Sequence, residues 1–375
     1  MLPFALALYM GRVRFLYVTN PHRIGHLAVE PDAYLKEKRL GMLPRHVGIL
    51  VVPRDQAANE TLLDLWLPHL NAITSPVWAR LTYYLFAGVP ALWIDTKRYV
   101  SGELTEPARY FEIVNSWAER PAVLTMPDAL MRRGDEALRV LGVPPGAWFA
   151  CLHVREAGYS PVDDHIHEYR NCSIENYRLA MDEIARRGGW CLRMGDASTS
   201  LAPSHSRLID YAHSRFRSDW MDIYLSWRCR IFIGTTSGLL MVPMVFGRAF
   251  GMTNFVPISR PPLSPKGLGI PKLLREEGSG RYLTFKETVE REAEMSYTTR
   301  DANPGIEMLE NSPQEILDLV RELLDESDGM PASQVDSDPL QKRFRSIYPH
   351  RYYSAPARSR ISPAFLRRYE HLLPD

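Results

Sequence analysis

The sequence predicts an α/β protein built on parallel sheets, and three observations carry that prediction. Short apolar runs alternate with helical patterns in two separate blocks, the rhythm of strands joined by crossover helices. Polar, glycine-bearing segments follow several of those runs, as they do beyond the carboxyl ends of parallel strands. Hydrophobic residues make up 45% and charged residues 24% of the 375 positions, the balance of a globular chain and not of a disordered one. At roughly 150 residues per domain this length allows two to three domains. Lys+Arg 45 against Asp+Glu 44 leaves a net charge of +1. No overall field therefore draws the chain onto nucleic acid or an anionic membrane, although local patches remain open.

In the first block, residues 13–18 read as a strand that breaks at Thr19-Asn20-Pro21 and continues beyond Arg23-Ile24-Gly25-His26 as a helix towards Leu40. Residues 47–52 form a second strand and 60–70 a leucine-rich helix. The runs 81–86 and 91–94 fit helix or strand equally. Between 121 and 145 the pattern thins under Pro121, Pro127, Pro144, Pro145 and Gly146, which marks a domain boundary. The second block opens with a buried-strand run at 148–154. Ser173 caps a helix carrying Tyr177, Ala180, Met181 and Ile184 at three-and-four spacing, and Gly188-Gly189 ends it. Strands follow at 190–194, 230–233 and 249–253, with an apolar helix at 239–246. Ser312-Pro313-Gln314-Glu315 is a capping box with proline at the first helical position.

Residues 325–339 hold five acids and no basic residue, the composition of a flexible linker. The tail 340–375 carries eight Lys/Arg against two acids, interleaved with aromatics. Such a tail either contacts nucleic acid or phosphate, or straps back across the body with its aromatics buried; the strap is the preferred reading. The resulting division is 1–140, 141–325, a linker 326–339 and a strap 340–375. Cys151, Cys172, Cys191 and Cys229 form no CxxC pair and no zinc spacing, so reduced thiols are expected, three of them in or beside strands. The apolar start, Met1 to Met10, has about half the length that spans a bilayer and lacks the basic start of a signal peptide. A soluble cytoplasmic protein is expected, with a lightly membrane-associated N-terminus as the alternative.

Four segments place polar residues at strand ends: Arg23-Ile24-Gly25-His26, His153-Val154-Arg155-Glu156, Arg193-Met194-Gly195-Asp196 and Gly234-Thr235-Thr236-Ser237-Gly238. Together they suggest a cleft lined by arginines, hydroxyls and backbone amides. In the last of them, terminal glycines admit a ligand to the backbone, the hydroxyls offer hydrogen bonds and the next helix offers its N-terminus to a phosphate. The alternative is a tight turn capped by Ser237. Arg155 supplies a fork for phosphate, with His153 on the same side of the strand. The alternative there is an ion pair of Arg155 with Glu156 or Asp196 and a core histidine. Asp163-Asp164-His165-Ile166-His167 has metal-ligand residue types but reads as a solvated loop. Neither a Gly-x-Ser-x-Gly elbow nor a Gly-x-Gly-x-x-Gly fingerprint occurs, which weighs against hydrolase and dehydrogenase readings.

The blocks Cys151-Leu-His-Val-Arg-Glu-Ala-Gly-Tyr159, Tyr169-Arg-Asn-Cys-Ser-Ile-Glu-Asn-Tyr177 and Gly189-Trp-Cys-Leu-Arg-Met-Gly-Asp196 come in an order that resembles a bacterial family of glycosyltransferases of unassigned specificity. So do Ile209-Asp-Tyr-Ala-His213, Ser218-Asp-Trp-Met-Asp222, Ile233-Gly-Thr-Thr-Ser-Gly238, Pro271-Lys272, Arg23-Ile-Gly-His-Leu27 and Phe365-Leu-Arg-Arg-Tyr369. His153-x-Arg155 is also similar to the motif of fucosyltransferases that use GDP-fucose, with Glu156 where those enzymes often carry a second arginine. The resemblance implies a GT-B-like architecture, two Rossmann-like domains facing across a cleft, the nucleotide mainly on the second. It implies sugar transfer from a nucleotide-diphosphate sugar, GDP-sugars ahead of others, to a surface-glycan or lipid-linked acceptor, with no metal and no cofactor.

On that basis Arg155 meets the diphosphate with His153 beside it, and Gly234, Thr235, Thr236, Ser237 and Gly238 cradle it. Arg193, Gly195 and Asp196 line the nucleotide, Arg170 and Asn171 belong to a loop closing over the donor, and Arg23, Gly25 and His26 face the acceptor. Glu156 or His26 is the acceptor base, and the sequence does not choose. Peripheral association with the inner face of the membrane is an expectation; nucleic acid is not an expected partner. An epimerase of the same fold and a non-catalytic glycan- or nucleic-acid-binding protein are the competing readings.

Overall fold

The computed structural model describes residues 2–100, 106–158, 167–292, 295, 303–331 and 337–375. Two parallel sheets organise them, as the alternation of the sequence predicts. The first has strand order β3-β2-β1-β4, from β1 (Val13–Tyr17), β2 (Val47–Val51), β3 (Asn71–Ile73) and β4 (Trp93–Ile94). The second runs β13-β10-β9-β8-β5-β6-β7, from β5 (Phe149–His153), β6 (Trp190–Arg193), β7 (Leu208–Ile209), β8 (Ile231–Gly234), β9 (Ala249–Phe255), β10 (Gly267–Pro271) and β13 (Arg360–Ile361). An antiparallel pair, β11 (Leu273–Glu276) and β12 (Ile306–Leu309), completes the strands.

Strand order places the site. In the second sheet the chain builds from β5 out to β6 and β7, then returns to β5's other side for β8. The reversal leaves a crevice beyond the carboxyl ends of β5 and β8, where ligands of open α/β sheets bind. The first sheet reverses in the same way between β1 and β4. The segments beginning at His153, at Gly234 and at Thr19 therefore stem from reversal points. Arg193–Asp196, one strand away at the end of β6, does not.

The helix after β1, α2 (Ile24–Arg39), is buried along most of its length. Pro31 inside it removes the amide that would have bonded to the Leu27 carbonyl. That carbonyl instead accepts the Trp66 indole N–H at 3.0 Å, tying α2 to α3 (Glu60–Trp66), which stops four residues short of the predicted 60–70. Buried charges on α2 are paired: Asp32 with Lys36 at 2.7 Å and the Tyr110 hydroxyl at 2.8 Å, Glu37 with Arg98, Tyr99 and Arg109. The ambiguous run 81–86 is the end of α4 (Pro76–Phe86), with proline in its first turn, and 91–94 ends in β4. The stretch 121–145 contains a helix, Asp128–Val140, where Gly134 is indispensable because a Cβ would lie 2.2 Å from the Tyr224 ring.

Much of the acidic stretch 325–339 is ordered by ion pairs. The capping box at Ser312 starts a helix, Pro313–Ser327, that runs into it. Asp325 meets Arg187 at 2.6 Å, Glu326 meets Arg360, Asp328 meets Arg230, and Asp338 caps the helix Pro339–Arg345. Beyond it the tail straps back over the body. Its Tyr353 carbonyl accepts from the Ala108 amide, and its Pro356 carbonyl accepts from Asn115 at 2.7 Å, both on the first half. The tail then adds β13 to the edge of the second sheet. Phe344, Tyr352, Tyr353 and Phe365 are buried, while Arg343, Arg360 and Arg368 pair with Glu370, Glu326 and Asp318. All four cysteines are free and buried.

Candidate functional site

The two reversal points meet. A Cβ built on Gly25 would lie 3.0 Å from the Gly238 Cα, and one on Gly238 would lie 3.0 Å from the Gly25 amide nitrogen and 3.2 Å from Ile24. Each glycine therefore fits closely against the other's backbone, so the glycine expected to admit a ligand also packs on the opposite half of the molecule. Gly238→Ala should wedge this junction open at a cost of about 1–3 kcal/mol, read as a lowered denaturation midpoint. An unchanged midpoint would mean the two segments do not touch in solution.

On the second sheet, the β8 loop is stitched to β5. The Thr235 amide donates to the His153 carbonyl at 3.1 Å, and the Thr235 hydroxyl accepts from the Arg155 amide at 3.0 Å. The Ser237 hydroxyl bonds His153 Nδ1 at 3.0 Å and makes no cap to the following helix. Two of the three expected cradle hydroxyls therefore shape the loop and are not offered to a ligand. Thr236 Oγ1 is buried and, among the described residues, has no hydrogen-bond partner. The helix predicted at 239–246 is a 3₁₀ turn, Gly238–Leu240, followed by the five-residue helix Met241–Val245, too short to offer the dipole that the sequence suggested.

Arg155 is held by its backbone on both sides, its amide by Thr235 and its carbonyl by the Cys172 amide at 3.0 Å. It therefore leaves the end of β5 in a fixed place, half-buried, beside His153. Burial lowers the pKa of His153 to about 4, and the positive charges of Arg193 and Arg155 add to the effect. His153 is thus neutral near pH 7 and acts as a loop-shaping hydrogen-bonding group.

A depressed histidine has a pH signature. Above about pH 6.5 both folded and unfolded chains hold His153 neutral. As pH falls from there towards 4, the unfolded chain takes up a proton that the folded chain refuses, so stability falls by up to about 3 kcal/mol. The denaturation midpoint of wild type should drop across that window by more than that of His153→Gln. Parallel profiles would contradict the assignment.

Several expected residues have other duties. Glu156, one of the two candidate bases, accepts from Arg193 at 2.9 Å, from the Ser200 amide at 2.7 Å and from the Ser200 hydroxyl at 2.9 Å. Its carboxylate makes a structural ion pair with Arg193, not with Arg155 as the alternative reading had it. Arg193, expected to line the nucleotide, is completely buried, bonded to Glu156 and the Ser200 carbonyl. Asp196 folds its carboxylate onto the Ser198 amide at 2.9 Å, and Gly195 takes a φ of 140° to start that turn. The segment at the end of β6 is therefore a closed loop held from within.

Arg170 donates to the Tyr169 hydroxyl at 2.9 Å, and the Asn171 carbonyl accepts Lys272 Nζ at 3.0 Å, which sets this stretch beside Arg155 through Cys172. Residues 163–166 of the Asp163–His167 group lie outside the described residues. Among the described residues, no cluster of three or more His, Cys, Asp or Glu is arranged to hold a metal ion.

On the first sheet, His26 Nδ1 lies 2.7 Å from Glu30 Oε1, and Glu30 is fully buried with its second oxygen accepting the Thr19 amide at 2.8 Å. A carboxylate only accepts, so Nδ1 is the ring nitrogen that donates to Glu30, and Nε2 is the one left for another partner. The His26 ring remains about a fifth exposed. The Thr19 and Thr96 hydroxyls, 3.0 Å apart, close the reversal point from β1 to β4. Arg23 is exposed at the mouth of the same loop. Glu30 was not anticipated, although its place four residues after His26 on a helix puts the two side chains together.

Asp222 was also missed as an individual residue. Burial raises its pKa to about 6 despite a 2.8 Å hydrogen bond from the Tyr211 hydroxyl. It sits in the first turn of the helix Asp219–Arg228, whose Asp219 carbonyl accepts from Asn59 of the first half at 2.9 Å. A concavity of about 440 Å³ between the helix Phe285–Glu292 and Tyr348 of the tail contains none of the expected residues.

No protein-family model matches the chain, and no curated protein does. Among solved structures, a glycosyl transferase of family 9 from Veillonella parvula is similar at 10% identity, covering 84% of this chain and 98% of the other, with a TM-score of 0.49. The E. coli ADP-heptose LPS heptosyltransferase II is similar at 13% identity, 84% and 100% coverage, and a TM-score of 0.49. The E. coli heptosyltransferase WaaC follows at 12% identity, 75% and 99% coverage, and a TM-score of 0.35. These are likenesses of fold.

Proposed function

We propose that this chain is a glycosyltransferase that moves a sugar from a nucleotide-diphosphate sugar to an acceptor hydroxyl. The observation that carries the reading is the meeting of the two reversal points at Gly25 and Gly238. It joins the segment that carries the His26–Glu30 pair to the loop that is stitched to Arg155 and holds a threonine hydroxyl without a partner among the described residues.

Sugar transfer needs both sides. The acceptor oxygen attacks the anomeric carbon and gives up its proton while the bond from that carbon to the diphosphate oxygen breaks. His26 Nε2 takes the proton, and Glu30 stabilises the imidazolium that results. The departing diphosphate gains negative charge, which the Arg155 guanidinium and the backbone of residues 234–238 offset. His153 and Thr235 hold that loop in place. His26 is preferred to Glu156 as the base, because Glu156 already accepts from Arg193 and Ser200.

The reading assigns charge neutralisation to Arg155 and not to a metal ion. Of the possible donors, GDP-sugars come first, from the His153-x-Arg155 resemblance; ADP-sugars, named with the heptosyltransferases, are the direct competitor. A surface glycan or a lipid-linked sugar is the proposed acceptor. A thermal-shift panel of GDP, ADP, UDP and CMP with their sugars, with and without magnesium, tests the site. Ligand at about a hundred times its dissociation constant adds about 2.7 kcal/mol of stability, a visible shift in a cooperative melt. One diphosphate raising the midpoint equally in both conditions is the expected result. No shift from any nucleotide would overturn the proposal.

A further inference from the structure

The side of the first sheet that faces away from the second half is apolar and is covered by two helices whose own outer surfaces are apolar. α1 (Leu2–Met10) and α4 lie over it, anchored by Ala5, Phe15, Val51, Ala79 and Phe86, with the Phe4 and Phe86 rings 5.9 Å apart. Their outer surfaces present Phe4, Leu6 and Met10 from α1 and Val77, Trp78 and Tyr84 from α4 to solvent, at 60%, 60%, 73%, 71%, 63% and 81% exposure. Soluble surfaces seldom carry so many large apolar side chains on two adjoining helices without a partner.

The charges on and directly after these two helices are basic. Neither helix contains an acidic residue, and α4 has a single charge, Arg80. Arg12 is exposed directly after α1, and the Arg14 guanidinium lies 4.6 Å over the Tyr9 ring. A carboxylate beside the face, Asp55, is paired with Arg80 at 2.5 Å. Tryptophan and tyrosine beside arginine are the residues that settle where hydrocarbon meets headgroup, and the guanidinium groups suit anionic lipid. No helix among the described residues is long and apolar enough to cross a membrane.

We propose that the α1–α4 face docks on the surface of an anionic lipid bilayer, with Trp78 and Tyr84 entering the headgroup boundary. The placement matches the site. α4 starts just after the carboxyl end of β3, so Val77 and Trp78 lie at the sheet edge from which the Thr19 loop also leaves. Tyr83 packs 5.3 Å from Tyr17, two residues before the Thr19 amide that Glu30 holds. The shared edge is the carboxyl end of the first sheet, from which the loop leading to His26 also departs. Docking itself does not depend on the transferase reading; only the step from docking to a lipid-linked acceptor rests on it.

The test is co-sedimentation of the full chain with vesicles of phosphatidylcholine alone and of phosphatidylcholine with phosphatidylglycerol. Wild type should partition onto the anionic vesicles. Trp78→Glu/Tyr84→Glu should lose roughly tenfold or more of that partitioning with an unchanged melting midpoint, both positions being exposed. Leu201→Glu, at an exposed leucine elsewhere, should bind as wild type. No binding to anionic vesicles, or equal binding by the double variant, would overturn the proposal. So would a wild-type dimer that the double variant abolishes without vesicle binding, because the face would then belong to a second copy. Nucleotide shifts of the double variant, read in parallel, keep this outcome separate from the fate of the transferase reading.

Discussion

Arg155→Ala should abolish most nucleotide binding and leave the protein folded. The Arg155 backbone donates to Thr235 and accepts from Cys172, and alanine keeps both bonds. The guanidinium is what a diphosphate would lose. Removing a charge-assisted contact of this kind costs about 2–3 kcal/mol, roughly 30- to 150-fold in affinity. Calorimetric titration with the diphosphate identified by the panel would read the loss, beside a melt showing a midpoint close to wild type. Affinity within about twofold of wild type would remove Arg155 from the site.

The second large effect concerns the opposite half. His26→Ala should lower kcat by about 10²–10⁴ while leaving nucleotide affinity in place, because the imidazole serves the acceptor's proton and not the donor. Glu30→Gln should produce a smaller fall in kcat together with a stability loss. Glu30 accepts from both His26 and the Thr19 amide, and a glutamine must turn its NH2 group towards one of those donors. Glu156→Gln supplies the contrast. It removes the charge of the carboxylate 2.9 Å from buried Arg193 and leaves Asp210, at 3.7 Å, as counter-charge, so its effect should be a stability loss of a few kcal/mol. A stable Glu156→Gln protein without transfer activity would return the role of base to Glu156.

The parts of this molecule that were legible in the sequence are those fixed by neighbours along the chain. The strand-and-helix alternation gave both sheets, and the Ser312–Glu315 capping box forms as read, with the Glu315 carboxylate accepting the Ser312 amide at 2.7 Å. The strap was legible because an aromatic set such as Phe344, Tyr352 and Phe365 needs burial whatever the path of the chain.

Illegible were facts that depend on distant pairing. Thr235 and Ser237 look like free hydroxyls in a glycine-bounded loop, and only the alignment of β8 against β5 turns them onto Arg155 and His153. Arg193 follows an apolar run exactly as a ligand-binding arginine would, but Glu156 and Ser200 enclose it. The contact of Gly25 with Gly238 joins opposite halves of the chain and has no local signature. The His26–Glu30 pair was within reach of sequence reasoning, because a four-residue spacing on a helix predicts contact.

The central expectation is that a nucleotide diphosphate binds where the two reversal points meet. Hydrogen exchange of the wild-type chain, with and without the diphosphate that shifts its melt, tests this most directly. Slowed exchange in peptides covering 153–156 and 234–238, accompanied by 19–26 from the opposite sheet, is the predicted pattern. Protection confined to other parts of the molecule, such as the concavity beside Tyr348, would contradict it.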